Sequence, residues 1–287
     1  MTRVVLVHGI AQQLKGPETI AEAWLPCLND GLALSGVGTL PRDDISVAFY
    51  GDLFRRPGHR GLGEPPLDAS DVEPGLEHEL LLSWWEAAAA ADTRVPGPDA
   101  TGRLRTPRVV QRALNALSHS AFFAGLAESA MIGSARQVRS YFTEPEVRRA
   151  AGERLARSVT GETVVIVAHS LGSVVAYETL CAHPQWQDLT LITLGSPLAV
   201  RGLVFDRLRP APHGGTARWP VPLKRWINIA DHGDAVALIK ELAPSFGTRI
   251  QDQTVNNGAH AHDVRPYLTA RETGLALAKA LGRAVRS

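Results

Sequence analysis

The sequence predicts an α/β protein with a mostly parallel sheet and helices on both faces. Three observations predict it. Apolar, β-branched runs occur at 3–7, 45–49, 164–168, 189–194 and 226–229, with a less hydrophobic sixth at 250–255. Continuous rather than alternating apolar runs suit strands buried on both faces. Helical patterns at 18–34, 174–181, 236–242 and 266–285 lie between or after these runs. The chain has 287 residues, 45% hydrophobic and 21% charged, an ordinary globular composition and enough to form one large domain.

The elements follow in order. The first run ends in His8-Gly9-Ile10, and the 18–34 helix leads to the second run. Asp52 comes just after it, either an ordinary turn residue or a group facing a site. The interval 51–160 breaks the strand–helix rhythm. A Pro/Gly-rich stretch at 55–74 reads as loop, and a second break lies at 95–107. Helix-like blocks occupy 76–91, 107–129 and 136–158. The last block suits the crossover helix of the core. Residues 51–133 read as a helical insertion within a single domain spanning 1–287. The final helix follows Asp263, a candidate cap, with Pro266 in its first turn. There is no internal repeat.

Several function classes are disfavoured. A net charge of +1 gives no overall pull toward nucleic acid or anionic membrane. Cys27 and Cys181 provide no disulfide framework and read as small buried hydrophobes. The first nine residues lack the features of a signal peptide. The best candidate span, 109–132, is broken by Arg112, His119 and Glu128. The expectation is a cytoplasmic protein without a transmembrane segment. No metal-ligand spacing, Gly-rich phosphate loop or nucleic-acid motif is present, so no cofactor or metal is expected. The expected partner is a small molecule, and the oligomeric state is open.

The chemistry concentrates at 164–172, Val-Val-Ile-Val-Ala-His-Ser-Leu-Gly. A buried strand runs into small-x-Ser-x-Gly and then a helix, the layout of a nucleophile elbow, with Ala168 where a glycine is usual. Serine needs an adjacent base to attack a carbonyl. A neutral imidazole serves if a carboxylate fixes its tautomer. The developing oxyanion needs preorganised N–H donors. Asp231 and Asp234 follow the 226–229 strand, and His260 and His262 follow the last strand. Asp234 could also cap a 236–242 helix.

With Val-His-Gly-Ile at 7–10, Ala-His-Ser-Leu-Gly at 168–172, Gly-Ser-Pro-Leu at 195–198, Asn-Ile-Ala-Asp-His-Gly-Asp-Ala-Val at 228–236 and Ala-His-Asp at 261–263, the chain resembles the α/β-hydrolase superfamily, lipase/esterase-like members in particular. The resemblance implies a shortened version of that fold, because the two leading antiparallel strands have no room. It implies the order Ser, acid, His. Ser170 is then the nucleophile. Asp234 is preferred as the acid because Asp-Ala-Val resembles the usual Asp-Pro-Val, with Asp231 as alternate. His262 is preferred as the base, with His260 as alternate. The backbone N–H groups of Ile10 and Leu171 form the oxyanion hole. His8 and His169 are positional, their ring nitrogens satisfied by backbone. The implied function is a serine hydrolase cleaving a carboxylic ester with a lipid-like or small acyl group. The alternatives are a thioesterase or acyltransferase with the same triad, or a non-catalytic binding scaffold. The insertion is expected to act as a lid. Trp84-Trp85 with residues 80–82 form either core packing or the wall of an acyl pocket. Activity should fall as pH drops through the imidazole range, near ~6.5 for a free side chain.

Overall fold

The computed structural model describes residues 3–55, 66–98, 107–120 and 127–284. Six strands form one sheet in the order β2-β1-β3-β4-β5-β6. They are β1 (Val4–Val7), β2 (Ile45–Ala48), β3 (Val165–His169), β4 (Leu189–Leu194), β5 (Leu223–Asp231) and β6 (Ile250–Val255). Every neighbouring pair is parallel. The fold class is therefore α/β, and the sheet is wholly rather than mostly parallel.

Side chains alternate across a strand, so each strand feeds two cores. Val5, Val7, Ile166 and Ala168 pack into one, and Val4, Leu6, Val165 and Val167 into the other. The first core is covered by α2 (Leu76–Ala91), α3 (Pro107–His119), α4 (Glu128–Thr143), α5 (Pro145–Ser158) and α6 (Leu171–Ala182). The second is covered by α1 (Pro17–Leu34), α8 (Val264–Thr269) and α9 (Arg271–Ala280). In α1 the buried residues Ile20, Trp24, Leu28 and Leu32 recur every four positions, a single apolar stripe facing the sheet.

The strand order places β1 beside both β2 and β3. The chain leaves β1 toward β2 and leaves β3 toward β4, on opposite sides, and a crevice opens between the carboxyl ends of β1 and β3. In open parallel sheets that is where ligands bind. Ile10 and Ser170 both border it.

Several expected helices differ. No helix spans 236–242; the chain is irregular there, and only the short α7 (Ala243–Phe246) follows. The carboxylate of Asp252 accepts the N–H groups of Leu242 and Ala243, and Asn228 Nδ2 donates to the Lys240 carbonyl. Side chains from β5 and β6 thus take the backbone groups that helical bonds would use. The 136–158 block is two helices because Pro145 forces Glu144 out of helical geometry. The final 266–285 segment breaks at Ala270, which is extended (ψ 138°), between α8 and α9. The 107–129 block is helical to His119, and α4 resumes at Glu128, inside the expected insertion boundary at 133. Parts of the 55–74 and 95–107 loops and of the 107–129 block lie outside the described residues. Among the described residues, no helix is long and apolar enough to cross a membrane.

Candidate functional site

The central strand β3 is fully buried and delivers Ser170 at its end. Ser170 has φ 54° and ψ −128°, and α6 begins at the next residue. A non-glycine residue at positive φ costs about 1–3 kcal/mol and persists only where its surroundings hold it. Here the turn is held from two sides. The Ser170 N–H donates to the Leu194 carbonyl of β4 (3.0 Å), and Ser173 Oγ donates back to the Ser170 carbonyl (2.7 Å). Gly172 permits the tight approach of α6 to β1: a Cβ there would lie 2.4 Å from the His8 carbonyl oxygen.

His262 lies on the loop between β6 and α8. Its Nε2 is 2.9 Å from Ser170 Oγ, and its Nδ1 is 2.8 Å from Asp234 Oδ2. An ionised carboxylate only accepts, so Nδ1 carries the proton and Nε2 is the free acceptor for the serine hydroxyl. Ser170 is 2% exposed, and the His262 side chain 16%. Asp234 is buried and fully hydrogen-bonded. Its Oδ1 accepts the N–H groups of Val236 (2.8 Å) and Ala237 (3.1 Å), and its Oδ2 accepts from His262 and from the Tyr267 hydroxyl (2.8 Å). Burial alone would raise its pKa. The adjacent His262 and these donors outweigh burial and hold the carboxyl at about 2. Gly195 leaves room for the pair: it has φ 54°, and a Cβ there would meet Asp234 Oδ2 at 2.7 Å and His262 Nδ1 at 3.1 Å.

The other candidates lie elsewhere. Asp231 accepts the N–H groups of Gly233 (2.7 Å) and Asn257, tying the end of β5 to the loop after β6. His260 sits exposed in a short 3₁₀ turn, Gly258–His260. Asp52 pairs with Arg154 of α5 (2.9 Å), and that contact holds its pKa below the usual range. His8 donates from Nδ1 to the Gly9 carbonyl (2.7 Å) and accepts the Tyr50 N–H at Nε2 (3.1 Å). His169 donates from Nε2 to the His262 carbonyl (2.9 Å). Burial lowers the His8 pKa to about 4 and that of His169 to about 3. Both rings are therefore neutral, and both bind backbone as expected.

Ile10 and Leu171 border the same cavity as Ser170. Leu171 opens α6, where an amide has no carbonyl one turn earlier to bind. The loop carrying Ile10 is anchored from α4. Gln137 Oε1 accepts the Ala11 N–H (3.0 Å), and its Nε2 donates to Gln13 Oε1 (3.0 Å).

Two residues of the site escape sequence reading. Tyr267 links both aspartates: it donates to Asp234 Oδ2 and accepts the Asp231 N–H at 2.7 Å. Burial, and then the charge of Asp234, raises its pKa, so the hydroxyl stays a donor. Its position five residues after His262 on a helical segment was the available signal. Gln137 carried none, being one polar residue on a helix far away in sequence. Asp263 caps α8 as expected, accepting the Arg265 N–H at 3.0 Å.

Among the described residues, no group of three or more His, Cys, Asp or Glu side chains is arranged to hold a metal ion. The hydrogen-bonded chain from Ser170 through His262 to Asp234 can move a proton from the hydroxyl to the imidazole, and it lies beside backbone amides and an apolar cavity. No protein-family model and no curated protein sequence matches this chain.

Proposed function

We propose that the chain is a serine hydrolase of the α/β-hydrolase type that cleaves a carboxylic ester. One observation carries the reading: Oγ of Ser170, both ring nitrogens of His262 and Oδ2 of Asp234 form one chain with links of 2.9 and 2.8 Å. His262 Nε2 takes the hydroxyl proton as Ser170 Oγ attacks the acyl carbon. Asp234 fixes the tautomer and stabilises the imidazolium. The N–H groups of Ile10 and Leu171 bind the oxyanion. The ester C–O bond then breaks, and the leaving alkoxide takes the proton from His262. Water, deprotonated by the same nitrogen, attacks the acyl-enzyme. The acid leaves, and the proton returns to Ser170.

The test is reaction with a methyl fluorophosphonate, read as intact mass, with Ser170→Ala as control. The reading expects one adduct on the native protein and none on the variant. A folded native protein that takes up no adduct, or a variant that still does, overturns it.

A further inference from the structure

We infer that the site accepts a short, uncharged acyl group and that Trp84 sets the length limit. This inference rests on the hydrolase reading above. A cavity opens directly beside Ser170 and holds about 20 Å³ of free space. That is little more than one water-sized sphere. One wall comes from the helices between β2 and β3, with Leu80 and Trp84 one turn apart on α2 and Val138 on α4. The facing wall is Val200, Leu203 and Val204 from the segment after β4.

The lining defines the chemistry. Its only polar side-chain groups are the Ser170 hydroxyl and the Trp84 indole, and none of its side chains is charged. A charged or sugar-like group placed there would lose its hydration without gaining partners. An apolar acyl chain loses nothing of that kind.

The size defines the limit. Trp84 is buried and is the largest side chain lining the cavity, so it bounds the space open to an acyl chain. Its neighbour Trp85 has a different role. The Trp85 indole donates to the Pro96 carbonyl at 2.6 Å, which fixes α2 to the segment after it. Trp84 is thus a specificity-determining residue, and an acetyl group, with one methyl beyond the carbonyl, is the class that fits.

The experiment measures kcat/KM for p-nitrophenyl acetate, butyrate and octanoate with the native protein, Trp84→Ala and Val200→Phe. Each protein is also checked by circular dichroism and by fluorophosphonate labelling of Ser170. A chain that outgrows its pocket is expected to lower native kcat/KM at least ~10-fold between acetate and octanoate. Trp84→Ala should raise the octanoate-to-acetate ratio at least ~10-fold, and Val200→Phe should lower butyrate relative to acetate. If Trp84→Ala does not fold, Val200→Phe decides alone. A native protein that turns over octanoate as well as acetate overturns the inference. So does a labelled, folded variant whose profile is unchanged. Absence of both label and turnover with every ester in the native protein instead overturns the hydrolase reading.

Discussion

Tyr267 and His262 share one oxygen of Asp234, at 2.8 Å each. The tyrosine holds the carboxylate in place and withdraws some of its negative charge. It touches no reacting atom, so under the proposed function it is a positioning residue. Tyr267→Phe removes a hydrogen bond to a charged acceptor, a loss of about 1.5 kcal/mol. Expressed in the transition state, that lowers kcat about tenfold, with KM unchanged. A residue that only supports packing would lower stability and leave kcat in place, and this outcome would refute the positioning role. His169 acts on the same loop from below through the His262 carbonyl. At this scale the sequence was readable where a residue type has one chemical use. Ser170 and the pairs Asp231/Asp234 and His260/His262 came from loop position and order, with Asp234 preferred for its likeness to Asp-Pro-Val. Asp231 closes β5 and Asp234 lies three residues on, both buried, so which of them meets His262 is seen only in the fold.

Among the elements, α4 braces a loop of the site. Gln137 binds the Ala11 N–H and so braces the loop that presents Ile10. Gln137→Leu removes that partly buried hydrogen bond, at a cost of about 0.5–1.5 kcal/mol. The expected result is a lower melting temperature and reduced kcat on a short ester. Unchanged kcat in a destabilised protein would show that the brace does not govern the Ile10 amide. The strands were legible to within a few residues because burial on both faces leaves an unbroken apolar run. The 236–242 helix was misread for a physical reason. Asp234 Oδ1 accepts the N–H groups of Val236 and Ala237, as an N-cap would. The chain then gives its next backbone groups to Asn228 and Asp252 instead. Local sequence cannot show such distant competitors. The break at Glu144-Pro145 was visible in principle, since proline restricts the residue before it.

For the whole molecule, acid should act first through the two buried imidazoles. In the unfolded chain a histidine titrates near ~6.5. In the folded chain His8 stays neutral down to about 4 and His169 down to about 3. Below ~6.5 the unfolded state therefore binds protons that the folded state refuses, and stability falls with pH. Each histidine contributes a slope of about 1.4 kcal/mol per pH unit, ending at its folded value. Asp234, at about 2 against ~3.9 unfolded, adds a further loss between those two values. Urea unfolding at about pH 7 and about pH 5 checks this; equal stability at both would mean that the rings are not buried neutral. The sheet order carries a different consequence, for assembly. Val4 of β1 pairs with Val165 of β3, while β2 covers its other side. In chain order β1 precedes its partner β3 by the whole of α2 to α5. Until β3 pairs with it, β1 has an unpaired edge, and closing so long a loop is slow. Open apolar edges recruit other chains. Refolding yield should therefore fall as protein concentration rises, with losses beginning at the edge that β3 later covers.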